Sequence, residues 1–166
     1  MGLYSSLFSF ILIIHALFKY LYFPYITVLT KMEGEKRYAD ASKLVAKLII
    51  SLIIVAAIFS AAALKFGDAV FMAVFNTDID VSPFLIPAIA SVCTYSALTL
   101  FASISIIKRD LKGLMLGYLI GILLYIPTPV ILIPMWGING ASFGMLLAAA
   151  STTLFLVIRN RKIRLL

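Results

Sequence analysis

The chain has 166 residues, 63% of them hydrophobic and only 13% charged, with a net charge of +7 and a single cysteine. A mean hydropathy of +1.12 excludes a water-soluble domain and marks an integral membrane protein. The basic residues cluster at the ends of apolar runs, which is a topology signal rather than a nucleic-acid stripe. Cys93, inside an apolar run, can form neither a disulfide nor a cysteine metal site within one chain.

The first element, Leu3 to Leu29, is 27 residues of nearly unbroken apolar character. As a helix it measures about 40 Å, more than the roughly 20 residues a bilayer core requires. Nothing before it has the basic n-region and cleavage site of a signal peptide. His15 and Lys19 lie four residues apart near its centre and so share one helical face. A mid-bilayer lysine costs about 2.5–3.5 kcal/mol on insertion scales, and Lys19 is too deep for snorkelling to relieve it fully. The wheel places Ser5, Ser9, His15, Ala16, Lys19, Thr27 and Thr30 in one sector. Leu7, Ile11, Ile14, Phe18, Leu21, Tyr22, Tyr25 and Leu29 occupy the opposite one. This predicts a lipid-facing apolar side and a polar side turned toward a protein interior. Structural hydrogen bonding to neighbouring helices is the plainer role for His15 and Lys19; a cationic cavity lining is the functional one.

Lys31–Lys43 is a polar connection, and Leu44 to Leu64 is the second span. Lys43 and Lys47, at its start, read as interface anchors. Lys65 to Val81 reads as a long connection in which Ala69–Phe75 is too short to span and is expected to lie as an interfacial helix. The third span runs from Pro83 to Ile107, with Ser82 as N-cap and a scatter of serines and threonines suited to burial among other helices. The fourth runs from Gly113 to Ile133 and the fifth from about Ile138 to Ile158, followed by a basic tail over 159–166. The fold class is therefore all-α: one transmembrane domain over residues 1–166 with five spans.

In the last two spans Gly113, Gly117 and Gly121 recur every four residues, as do Gly140 and Gly144 with Ala148 and Thr152. That spacing lets helix backbones approach closely in lipid, so these glycines are expected to pack helices. Pro127, Pro129 and Pro134 are expected to break the outer half of span four. Eleven Lys and Arg residues flank one set of helix ends and one, Lys65, the other, so the basic loops and the C-terminus belong in the cytoplasm. With five spans the N-terminus lies outside, the expected start for a piece of a longer chain.

Catalytic constellations are missing. Asn76-x-Asp78-x-Asp80 opens like a calcium loop, but Val81 stands where its glycine belongs and Pro87 where its final acid belongs. His15 is the only histidine, which leaves no histidine metal site. No carboxylate pair lies within a span for acid–base work. The chain reads as a non-enzyme without cofactor or metal.

The string Ile131-Leu-Ile-Pro134-Met-Trp-Gly137-Ile-Asn-Gly140-Ala-Ser resembles the "IP-x-x-G-x-x-GAA" segment of the polysaccharide-biosynthesis flippases. These are the oligosaccharide-lipid exporters of the multidrug/oligosaccharidyl-lipid/polysaccharide superfamily, relatives of the MATE transporters. Tyr22-Phe-Pro24-Tyr-Ile with Glu33-Gly-Glu-Lys36 resembles that family's "YP" helix and acidic loop, and Phe66-Gly67 its "FG" segment. Two features depart from the pattern: Ile107 replaces a frequent glycine, and the fourth span lacks asparagine. The resemblance implies the C-terminal lobe of a MATE-like flippase in the cytoplasmic (inner) membrane. Its implied partners are the bilayer, a polyprenyl-diphosphate-linked oligosaccharide, and a missing N-terminal lobe or a second copy, with no nucleic acid. It implies alternating access between two lobes, and an anionic diphosphate offset by the cationic lining at Lys19 and His15. A MATE-like exporter of small cations should carry an intramembrane acid that these spans lack. A scaffold subunit of a sugar-assembly complex is the remaining alternative.

Overall fold

The structure is a computed structural model that describes residues 2–75 and 82–162. Six helices follow one another: α1 (Gly2–Gly34), α2 (Tyr38–Phe75), α3 (Ser82–Ile107), α4 (Leu111–Tyr125), α5 (Pro127–Trp136) and α6 (Ile138–Lys162). Among the described residues, five stretches are long and apolar enough to cross a membrane: Leu12–Gly34, Tyr38–Val70, Phe84–Ile107, Leu111–Trp136 and Asn139–Asn160. The protein is an all-α, multi-pass membrane protein.

α3 is the central post. It packs against α1 and α2 on one side and most extensively against α6 on the other, while α6 also carries α4 and α5. Half of the α3 span is buried inside the bundle, against 11% of the α4–α5 span. The difference follows from composition. On α3, Ser91, Ser96 and Ser105 are buried, and the Ser91 and Ser105 hydroxyls return hydrogen bonds to backbone carbonyls one turn back. They are thereby satisfied without water. α4 and α5 instead expose Met115, Leu119, Leu123, Val130 and Ile131, the surface a lipid solvent favours.

Span four breaks where its prolines predicted. Pro127 begins α5 directly after Tyr125 and Ile126, because its ring cannot donate to the preceding turn. α5 and α6 then meet at Gly137, which has a φ of +56°, the left-handed region open to glycine.

Two features differ from the expectations. The first is the face of α1 that turns inward: Ile14, Phe18, Tyr22 and Leu29 are the buried residues, whereas Ala16, Lys19, Thr27 and Thr30 are exposed within this chain. Lipid and bundle core are equally apolar, so the apolar side of a membrane helix has no reason to prefer lipid. Shape decides instead: Phe18 reaches Phe59 of α2 edge to face, with centroids 6.2 Å apart.

The second concerns Ala69–Phe75, which is no separate interfacial helix; it continues α2 through Lys65 and Gly67. A lone glycine costs a helix about 1 kcal/mol and does not stop it. At 38 residues, α2 is about 57 Å long and overshoots a hydrocarbon core of about 30 Å. The run Asn76-x-Asp78-x-Asp80 lies outside the described residues. Ser82 and Pro83 do head α3.

The turns α1–α2 and α3–α4 share one construction. Lys36 and Arg109 have φ values of 59° and 58°. Their amides bond to Glu33 O and Ile106 O, while the next amides, of Arg37 and Asp110, reach Met32 O and Ser105 O. This pairing is the Schellman arrangement, here with a basic residue in the place glycine usually takes.

Candidate functional site

α1 presents His15 and Lys19 differently. His15 is half-buried and faces α3: its Nδ1 lies 3.2 Å from Ser96 Oγ, and its ring meets the Tyr95 ring edge-on at 5.0 Å. Two turns on along α1, the Tyr22 hydroxyl is hydrogen-bonded to Thr99 Oγ1. Lys19 is exposed on the open side of α1, with Nζ 5.9 Å from the centre of the Phe23 ring, a distance at which cation–π attraction still counts. The pair therefore shares a helix but not a pocket. Lys19 follows His15 by about 6 Å along the axis.

His15 lines a cavity of about 400 Å³ with Leu12, Val92, Tyr95, Leu98, Tyr118, Gly121, Ile122, Tyr125, Met145, Ala148, Ala149 and Thr152. The walls are α1 and α4; the floor is α3 and α6. The volume falls in the range of ligand-binding clefts. Most of its lining was not singled out from sequence. Tyr118, Gly121, Ile122 and Tyr125 form an i, i+3, i+4, i+7 face, and so do Met145, Ala148, Ala149 and Thr152. Yet every apolar helix offers several such faces, and only the packing selects one.

The glycines sit where helices touch. A Cβ on Gly113 would collide with Arg159 and Asp110 side-chain atoms, one on Gly117 would press on Leu156 and Phe155, and one on Gly121 would meet Thr152 Oγ1. All three look onto α6 or its partner at the α4 cap. Gly140 lies against the Leu132 and Ile133 backbone, and Gly144 against Pro129, so both look onto α5.

The other polar centre joins helix ends on the side of the basic loops. Arg159 of α6 grips Asp110 with two hydrogen bonds, Nη2 to Oδ1 at 2.9 Å and Nε to Oδ2. Asp110 also accepts the Gly113 amide at 3.0 Å and so caps α4. Lys108 Nζ donates to the Asn160 carbonyl at 2.8 Å. Buried Asn160 donates Nδ2 to Ser105 Oγ at 3.2 Å. Burial pulls the Lys108 ammonium below the ordinary lysine range, while the charges of Glu33 and Asp110 pull the other way. Asp110 and Asn160 stood out in no motif; a helix cap is legible in retrospect from Asp110 three residues before Gly113. Among the described residues no group of three or more His, Cys, Asp or Glu side chains gathers to hold a metal.

The class defined by this fold is a multi-pass helical membrane protein with a cleft among its candidate spans. In comparisons with known proteins, no family model, curated protein or solved structure matches the chain.

Proposed function

We propose that this chain is one lobe of a flippase that carries polyprenyl-diphosphate-linked oligosaccharide across the cytoplasmic membrane by alternating access. The observation that carries the reading is Lys19, a cation at membrane depth on the uncovered side of α1, one turn from a histidine at the edge of a cleft. Hydrocarbon does not tolerate an isolated ammonium there. An anionic diphosphate passing through a lobe interface would supply the missing counter-charge, and the same uncovered face would meet the second lobe. The motif resemblance in α1 and in α5–α6 supports the same reading. The basic helix ends face the cytoplasm under the positive-inside rule.

Binding of farnesyl diphosphate to the 166-residue chain in nanodiscs tests this. The chain should bind it and not farnesol, and Lys19→Ala should weaken binding about tenfold, the loss of one charge-assisted contact. Equal affinity of the two proteins, or no preference for the diphosphate over the alcohol, would remove Lys19 from the site and the reading with it.

A further inference from the structure

We propose that the cleft between α1 and α4 holds the prenyl chain of the carrier lipid while Lys19 holds its head; this rests on the flippase reading. α1 and α4 form the two lips and are bridged by α3 and α6 beneath, so the cleft opens between two membrane-spanning helices. The depth of the cleft fixes what can enter. His15 lies 16 residues from Lys31, about 24 Å along the helix, well inside the hydrocarbon.

The lining decides between a sugar and a chain. A saccharide in a closed apolar site must replace each lost water bond, and each failure is costly. Few polar groups line it, and two of them are engaged: His15 Nδ1 lies against Ser96 Oγ, and the Thr152 hydroxyl donates to Ala148 O at 2.9 Å; the other polar side chains are those of Tyr95, Tyr118 and Tyr125. The rest of the lining is apolar, with Leu12, Val92, Leu98, Ile122, Met145 and Ala149. A branched hydrocarbon meets such a wall without penalty. An ordinary phospholipid chain has the same chemistry, but the exposed Lys19 ammonium about 6 Å along α1 selects an amphiphile whose anionic head is carried at membrane depth. Resting phospholipids keep theirs at the interface.

Photo-crosslinking tests this with geranylgeranyl diphosphate bearing a diazirine at the chain end, using the whole chain in nanodiscs and mapping labelled residues by mass spectrometry. Labels are expected in 118–125 and 145–152, about tenfold above those from diazirine phosphatidylcholine at equal mole fraction. Ile122→Trp, at the exposed lip, should cut that labelling while leaving inorganic diphosphate binding at the wild-type level. Because Ile122 is 53% exposed, this variant fills the mouth without disturbing the core. Equal labelling by phosphatidylcholine, or labels on the outer faces of α1 and α2, overturns the chain site. If farnesyl diphosphate still binds in a Lys19-dependent way, the head-group reading survives that result. Failure of every diphosphate to bind overturns both.

Discussion

Arg159, in the last turns of α6, holds Asp110, the residue that opens α4, by a two-pronged ion pair spanning 49 positions of sequence. One carboxylate thus serves as helix cap and as inter-helix tie. The Arg159 hydrogen bonds, helped by the Gly113 amide, hold the Asp110 carboxyl below the usual carboxylate range, against an opposing effect of burial. A depressed carboxyl contributes stability that is complete above its unfolded value of about 3.9 and disappears as pH falls through the lower folded value. Thermal unfolding in detergent should therefore be flat in this respect from neutrality down to about pH 4 and fall below it. Asp110→Ala should lose about 1–2 kcal/mol at pH 7, most of it the cap, since the Arg159 side chain is 36% exposed and its charge is partly screened. That variant should lose its share of the acid slope; an unchanged slope would assign the acid sensitivity elsewhere.

The glycines of α4 allow a graded test. Gly121→Ala places a methyl against the Thr152 hydroxyl, which is committed to Ala148 O and cannot swing aside without breaking a buried bond. Overpacking of this kind costs about 1–3 kcal/mol, so the melting temperature should fall. Gly34→Ala, with no atom within 4 Å of the added carbon, should leave it where it is. Equal behaviour of the two would show that α4 does not seat on α6 as closely as described.

Much of this architecture was legible in the sequence, and the limits are physical. Span number followed from apolar length, and the break in span four from Pro127, because both are properties of the backbone in its solvent. The inward face of α1 was not legible. In water, polarity sorts the two faces of a helix; in lipid, Phe18 and Tyr22 gain as much from a protein neighbour as from an acyl chain. Likewise the α2 overshoot through Gly67 lacked a stop signal, and the cleft lining lacked any charged marker.

The two left-handed basic residues predict a gain. A non-glycine residue in that conformation costs roughly 1–2 kcal/mol, and Arg109 adopts it with a φ of 58° while exposed to solvent. Arg109→Gly relieves the strain but frees the unfolded chain, so the net stabilisation should be about 0.5–1 kcal/mol, seen as a higher melting temperature. Arg109→Val should move in the opposite direction, because a β-branched side chain tolerates that conformation worst. A fall in both variants would mean that the Arg109 charge, not its backbone, is what the turn depends on.

Sidedness can be tested independently of transport. Glu33 of α1 is close enough to raise the Lys108 pKa, and Lys108 in turn reaches Asn160 of α6, so the ends of α1, α3 and α6 share one side of the bundle. The turns at Lys36 and Arg109 belong to that side as well. Lys65 lies 27 residues beyond Tyr38 along α2, about 40 Å away, and so emerges opposite. In a Cys93→Ala background, Lys36→Cys and Lys112→Cys should react with an impermeant maleimide only when the cytoplasmic side is opened, and Lys65→Cys from outside intact cells. Reaction of all three from one side would contradict the helix order itself. Reversed labelling would keep the bundle but overturn the charge rule as its guide, since α1 would then deliver Lys19 from the opposite leaflet.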